Sequence, residues 1–252
     1  MEEISYMERK LALVTGGAVG IGAAISRALA EKGYQTGILY HHSAKQAHLL
    51  CDTLQAQGHA CFCEHTDVTD EAEVRMVFAD VFQQYGPPAV LINNAGIAQS
   101  GLLTDYSCAE WMHLFHVNFD GVLHTTHAVY PAMVRQKSGI IINIASIWGE
   151  SGASCEAVYA ASKGAVIAFS RSLASELGPS GIRVCCICPG VIDTQMLQEY
   201  TNAEKQALAD ATPLGRLGTP QDVAQAVLYL CDAPFLTGTV LRIDGGFLLG
   251  NT

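Results

Sequence analysis

Continuously apolar runs alternate with helix-periodic segments along the whole chain, and this alternation limits the possible folds more than any single motif. "KLALVTG" is followed by "IGAAISRALAEKG", "QTGILYH" by a helical stretch over 43–57, and "ACFCEHTDV" by "DEAEVRMVFADVFQQYG". "AVLINNAG", a long helix near 109–136, "GIIINIAS", a helix over 156–178, "GIRVCCICPG" and "GTVLRIDGG" complete the series. The strand-like runs are apolar at consecutive positions rather than alternate ones, as in strands covered on both faces. Strands interleaved with helices require right-handed crossovers. The expected fold class is therefore α/β, a Rossmann-type doubly wound parallel sheet of about seven strands with helices on both faces.

The length of 252 residues, half of them hydrophobic and 15% charged, suits one well-buried domain over 1–252. No Pro- or Ser-rich linker, low-complexity tract or solenoid-period repeat divides it. The longest stretch without strand character, around 190–219, is polar and flanked by Pro-Gly and Thr-Pro, which predicts a mobile lid. A formal net charge of -10 repels phosphate backbones and anionic lipid, which argues against nucleic-acid or membrane partners. No apolar run reaches the roughly 18 residues of a membrane span, and "MEEISYMERK" lacks the pattern of a secretion signal, so a cytoplasmic location is expected. The nine cysteines form no C-x-x-C pair, and Cys185, Cys186 and Cys188 fall in an apolar run, so reduced structural thiols are expected. Helix spacing makes His113–His116 or His124–His127 a conceivable ligand pair, but no carboxylate or cysteine is placed to complete it, and no metal is expected.

"TGGAVGIG", Thr15 to Gly22, lies directly between the first strand and the first helix. Gly16, Gly20 and Gly22 permit a tight turn, close approach to a phosphate and close helix–strand packing, while the helix N-terminus offers free N–H groups to a pyrophosphate. Ligands of open parallel sheets sit beyond the carboxyl ends of the strands. Polar residues cluster at those ends: Asp67, Asn93 and Asn94, Ser146, and Pro189-Gly190.

In "AVYAASKGAV", Tyr159 and Lys163 stand one helical turn apart among small residues. A phenol has a pKa near 10, too high for efficient proton exchange at neutral pH, and a neighbouring ammonium is expected to lower it. Ser146 can hold a carbonyl or hydroxyl by hydrogen bond. The chain resembles the short-chain dehydrogenase/reductases through "TGGAVGIG", "DV" (67–68), "NNAG" (93–96), Asn118 in "HVNFDGV", Ser146 in "INIAS", "YAASK" (159–163) and "PGVIDT" (189–194). The resemblance covers essentially the whole chain. It implies a nicotinamide dinucleotide cofactor, with Tyr159 as general acid/base and Lys163 lowering its pKa and binding the ribose hydroxyls. It further implies that Ser146 orients the reacting oxygen and that Asn118 holds a water that relays protons from Lys163. By the same resemblance the cofactor is lined by Gly16, Ala18, Val19, Gly20, Ile21, Gly22, His41, Asp67, Val68, Asn94, Ala95, Gly96, Pro189, Gly190, Ile192 and Thr194, besides Tyr159 and Lys163.

The second strand runs into "ILYHHSAK" with no Asp or Glu, and an acid there normally binds the ribose of NAD. NADP(H) is therefore expected over NAD(H), with His41, His42, Ser43 or Lys45 near the 2′-phosphate. The resemblance is nearest to β-ketoacyl-acyl-carrier-protein reductases, through "SLASELGPSGIRV" and "PLGRLGTPQDVAQAVLYL" among others. It implies a 3-oxoacyl thioester substrate on acyl carrier protein or CoA, within fatty acid biosynthesis. Of the two basic positions that receive the acidic carrier there, one resembles Lys137 and the other falls at Ser180; another ketone, a steroid or a sugar is the alternative substrate. The resemblance also implies a homotetramer built through the helices at 109–136 and 156–178 and through "GGFLLGNT". A non-catalytic dinucleotide-binding sensor on the same fold is the alternative of another class.

Overall fold

β1 (Leu11–Thr15) is an interior strand, third from one edge, of a seven-stranded parallel sheet. The computed structural model describes residues 9–249. On one side of β1 come β2 (Gln35–Tyr40) and β3 (Cys61–His65). On the other follow β4 (Pro88–Asn93), β5 (Gly139–Ile144), β6 (Ile182–Pro189) and β7 (Val240–Ile243), giving the order β3-β2-β1-β4-β5-β6-β7. The crossovers are α1 (Gly20–Glu31), α2 (Ala44–Ala56), α3 (Glu71–Tyr85), α4 (Cys108–Phe115) with α5 (Gly121–Gln136), α6 (Trp148–Ser151) with α7 (Ala157–Leu177), and α8 (Asn202–Asp210) with α9 (Pro220–Asp232). Chain direction across the sheet reverses between β1 and β4, so the crossovers leaving these two strands diverge and open a crevice at their carboxyl ends.

The continuous apolar runs are explained by two cores. Ala12 and Val14 of β1 join Ile25, Leu29, Ile92, Ile142 and Val227 under α1 and α9. Leu11 and Leu13 of the same strand join Phe78, Leu91, Met133 and Ile141 under α3 and α5. Successive side chains of a strand point to opposite faces, so a strand covered twice must be apolar at every position. Burial of each large side chain, such as Phe78 or Met133, contributes about 1.5–3 kcal/mol.

The expected long helix near 109–136 contains an irregularity that periodicity does not reveal. Between α4 and α5 the residues His116–Asp120 form a π turn. Such a turn inserts one residue and re-aims its neighbours, commonly at functional sites. Here Asn118 is left fully buried. The 190–219 stretch is a 3-10 turn (Gln195–Leu197) and α8, closed at its base by a parallel bridge between Ile192 and Gly218. Cys185, Cys186 and Cys188 are buried in β6. Of the paired histidines, His116 meets the Asp120 carboxylate at 2.6 Å and His124 donates to the Val68 carbonyl at 2.9 Å. Among the described residues no group of three His, Cys, Asp or Glu could hold a metal, and no helix is long and apolar enough to cross a membrane. The expectations for the N-terminal segment and for the end of "GGFLLGNT" lie outside the described residues.

Candidate active site

The glycine turn depends on its lack of side chains. Gly16 (φ 59°) and Gly20 (φ 53°) take the left-handed conformation. A Cβ at Gly22 would stand 2.1 Å from the Gly16 carbonyl oxygen and 2.6 Å from Asn94 Nδ2. α1 begins here behind Val19, whose side chain cannot cap it. By contrast, α3 and α9 have Asp70 and Thr219 accepting from their first N–H groups. A helix start without a side-chain cap, behind a cradle that any Cβ would fill, fits a pyrophosphate. Asn94 locks the cradle to β4, its amide donating to the carbonyls of Thr15 (3.0 Å) and Gly16 (3.1 Å). The Thr15 hydroxyl accepts from the N–H groups of Asn94 and Ala95, both at 3.0 Å. We expect Gly22→Ala to weaken nicotinamide dinucleotide binding at least about tenfold and to destabilise the fold by about 1–3 kcal/mol through overpacking, checked by fluorescence titration and thermal melting.

Four polar side chains converge at the ends of β4, β5 and α7. Asn118 Oδ1 accepts from the Ile97 N–H at 2.8 Å, and its Nδ2 donates to the Ile97 carbonyl (2.9 Å) and the Ser162 hydroxyl (3.1 Å). The π turn is thereby clamped to the loop after β4 and to α7. The Lys163 ammonium is buried and donates to the Ile144 carbonyl at 3.0 Å, with Nζ 5.9 Å from the centre of the Tyr159 ring. Gly96 closes over them: a Cβ there would lie 3.2 Å from both Asn118 Oδ1 and Lys163 Nζ. Ser146 follows β5 and accepts from the Trp148 N–H at 3.2 Å.

Electrostatics here differ from the sequence expectation. Burial pushes the Tyr159 phenol up to about 12, against a smaller downward pull from the Ser146 hydroxyl and with further upward pushes from Glu156 and Cys188. Burial likewise pushes Lys163 down to about 8. The expected lowering of the phenol by the ammonium is therefore overturned in the protein on its own, because the enclosure that disfavours the phenolate also disfavours the ammonium. What remains at neutral pH is a protonated phenol beside a serine hydroxyl: a proton donor.

The other expected residues divide by environment. His41, just after β2, packs against His42 with the rings tilted by 31° (centres 3.8 Å apart) and lies 3.7 Å from Asp67. Burial raises the Asp67 carboxyl, but hydrogen bonds from the Thr69 N–H and hydroxyl, with His41 and His65 nearby, bring it below its ordinary value. Val68 is buried against Gly121. Thr194 faces the glycine turn, its methyl 3.6 Å from where a Gly20 Cβ would stand. Gly190 donates to the Ile243 carbonyl, and Pro189 accepts from the Ile147 N–H. Ala18 is buried and Val19 partly buried against α2, and Ile21 packs partly buried on the α1/α9 core. Ile192 is buried and packs against that core at the edge of a pocket lined also by Val191, Gly218 and Asp244. Asn93 leaves the rim: it is buried in β4, donating to Asn143 (2.8 Å) and accepting from Thr125 (2.7 Å). Thr15 and Ser162 belong to the site without having been expected, although each lies inside a motif, "TGGAVGIG" and "YAASK".

A family model described as enoyl-(acyl carrier protein) reductase matches residues 16–248. An uncharacterized oxidoreductase of Bacillus subtilis, YmfI, is 37% identical over 94% of this chain and 98% of its own length. The 3-oxoacyl-[acyl-carrier-protein] reductase FabG of Staphylococcus aureus is 35% identical over 95% of this chain and 98% of its own. Among solved structures, gox2181 superposes with a TM-score of 0.92 at 33% identity, covering 97% of this chain and 99% of that one. A point variant of the actinorhodin polyketide ketoreductase with NADPH gives 0.91 at 31% identity, covering 98% and 99%. With this sheet, this glycine turn and relatives matched end to end, the chain belongs to the short-chain dehydrogenase/reductase family and is a short-chain oxidoreductase.

Proposed function

We propose that the chain is an NADP(H)-dependent carbonyl reductase whose first substrate class is the 3-oxoacyl thioesters. The observation that carries this reading is the convergence of Ser146, Tyr159, Lys163 and Asn118 at the carboxyl edge of the sheet, beside a helix start with no side-chain cap. Those residues would hold a reduced nicotinamide there, whose chemistry when bound would be hydride donation to the carbonyl carbon. Tyr159, protonated at neutral pH, donates its proton to the carbonyl oxygen, and Ser146 orients that oxygen. Lys163 binds the ribose hydroxyls and returns a proton toward the phenol. Asn118 positions both by clamping Ile97 and Ser162, with a water beside it continuing the path to solvent. Gly16, Gly20 and Gly22 would cradle the pyrophosphate, Asp67 and Val68 would contact the adenine, Asn94 to Gly96 would line the cofactor, and Thr194 would hold the carboxamide. The 190–219 segment covers the substrate. Loss of nicotinamide absorbance from NADPH on adding acetoacetyl-CoA tests the reading; cofactor binding with no ketone reduced would favour a sensor.

The NADP(H) preference rests on the end of β2, where His41 and His42 replace the acid that would repel a 2′-phosphate. His41→Asp is expected to lower the NADPH-over-NADH ratio of kcat/KM at least about tenfold by placing a negative charge there. For the carrier, Lys137 ends α5 beside Gly181, so the fold brings it next to Ser180 with no second cation at that position; this favours a CoA-bound over a carrier-bound thioester. The exposed apolar Leu103, Trp111 and Met112 on and before α4 support tetramer assembly through that face, which light scattering tests.

A further inference from the structure

Glu156 has no part in the proton path through Tyr159 and Lys163, although it directly precedes the helix that carries both. It is the residue before α7, three positions ahead of Tyr159, and its side chain makes no cap to that helix. Its Oε2 is buried and has no hydrogen-bond partner. Burial pushes its carboxyl up, opposed by the hydroxyl of Ser100. The three-residue spacing puts it on the same side of the first turn of α7 as the Tyr159 phenol, and its charge pushes the phenols of both Tyr159 and Tyr106 up. The backbone holds it there: Cys155 is one of only two non-glycine residues with positive φ (63°) among the described residues, and its carbonyl accepts from the Gly101 N–H at 2.8 Å.

A buried carboxyl oxygen without a donor is costly unless something supplies one. Ser100 serves the carboxyl as a whole, but no described residue donates to Oε2. We propose that Glu156 is a specificity-determining residue that accepts a hydrogen bond from an O–H or N–H donor carried by the substrate near its reacting carbonyl. This rests on the carbonyl-reductase reading and deepens it. In a 3-oxoacyl thioester of CoA the donor is an amide N–H of the pantetheine arm; in a free ketone it is a hydroxyl. A site built around such an acceptor discriminates against the analogue that lacks the donor, because binding that analogue leaves the carboxyl unpaired.

Two matched pairs test this with NADPH as reductant. Acetoacetyl-N-acetylcysteamine, which has the amide N–H, is compared with S-butyl acetothioacetate, which has no donor; 4-hydroxy-2-butanone is compared with 2-pentanone. The wild-type kcat/KM is expected to favour the donor-bearing member at least about tenfold in one pair, and the pair concerned identifies the donor. Glu156→Ala is expected to lower kcat/KM for the donor-bearing member and raise it for the other, so that the ratio approaches one. Glu156→Gln, which keeps an acceptor oxygen and the shape, is expected to restore part of the ratio. Reduction of the ketones with a wild-type ratio below about two in both pairs overturns the assignment alone. A ratio that survives Glu156→Ala also overturns it. No NADPH consumption with any of the four overturns the carbonyl-reductase reading and the assignment with it.

Discussion

Tyr159→Phe is expected to lower kcat by about three orders of magnitude while changing the NADPH dissociation constant less than about threefold. The substitution removes one oxygen and leaves the ring, so the packing against α7 and the 5.9 Å approach of Lys163 Nζ are retained. What is lost is the proton donor. With the phenol held at about 12, Tyr159 is almost wholly protonated at neutral pH, the form needed to protonate a carbonyl oxygen as hydride arrives. Ser146 then remains as a hydrogen-bond donor without a proton to transfer at that pH, and water must enter to complete the reaction. Steady-state loss of NADPH absorbance with a saturating acetoacetyl thioester measures kcat, and fluorescence titration measures cofactor affinity. Residual turnover above about a tenth of wild type would remove Tyr159 from the role. The same pKa sets a directional expectation: reduction at neutral pH outpaces oxidation of the alcohol, which needs the phenolate.

The sheet was legible because its physics is written along each strand: one sandwiched between two helix layers must be apolar at consecutive positions, as Leu11–Val14 of β1 and Ile140–Ile142 of β5 are. The glycine turn was legible because a Cβ at Gly22 has no space. Three things were not. The π turn at His116–Asp120 lies within a pattern that a regular helix also satisfies, and only the hydrogen bonds of Asn118 to Ile97 and Ser162 reveal why the helix is interrupted. Asn93 and Asn94 are adjacent in sequence, yet the strand alternation sends one into the core with Asn143 and the other to the crevice with Thr15 and Gly16. The electrostatics of Tyr159 and Lys163 could not be read from spacing, because the i, i+4 relation states their proximity and says nothing of how deeply both are enclosed.

That enclosure leads to the second large effect. Lys163→Met is expected to abolish most activity, at least about a hundredfold in kcat, and yet to stabilise the fold near neutral pH. Burial takes the ammonium from an ordinary 10.5 down to about 8, an unfavourable contribution of order 3 kcal/mol at pH 7, where folded and unfolded chains both carry the proton. Between about 8 and 10.5 the unfolded chain binds more protons than the folded one, so wild-type stability rises with pH and the burden disappears. Tyr159 acts oppositely at higher pH: above its ordinary 10.0 the unfolded phenol ionises while the folded one stays protonated to about 12, and stability falls across that interval. Methionine keeps the unbranched stem of Lys163 but loses the hydrogen bond to the Ile144 carbonyl, worth about 1 kcal/mol. The net expectation at pH 7 is a gain of about 2 kcal/mol, at about 2–4 °C of melting temperature per kcal/mol for a chain of this size. The advantage should shrink toward zero, and then reverse by the lost hydrogen bond, as the pH approaches about 10. Thermal melts of both proteins at neutral and at alkaline pH decide the matter. A methionine variant that is less stable at pH 7, or an advantage that does not change with pH, would show that the ammonium is held comfortably and that its burial is not a strain maintained for catalysis.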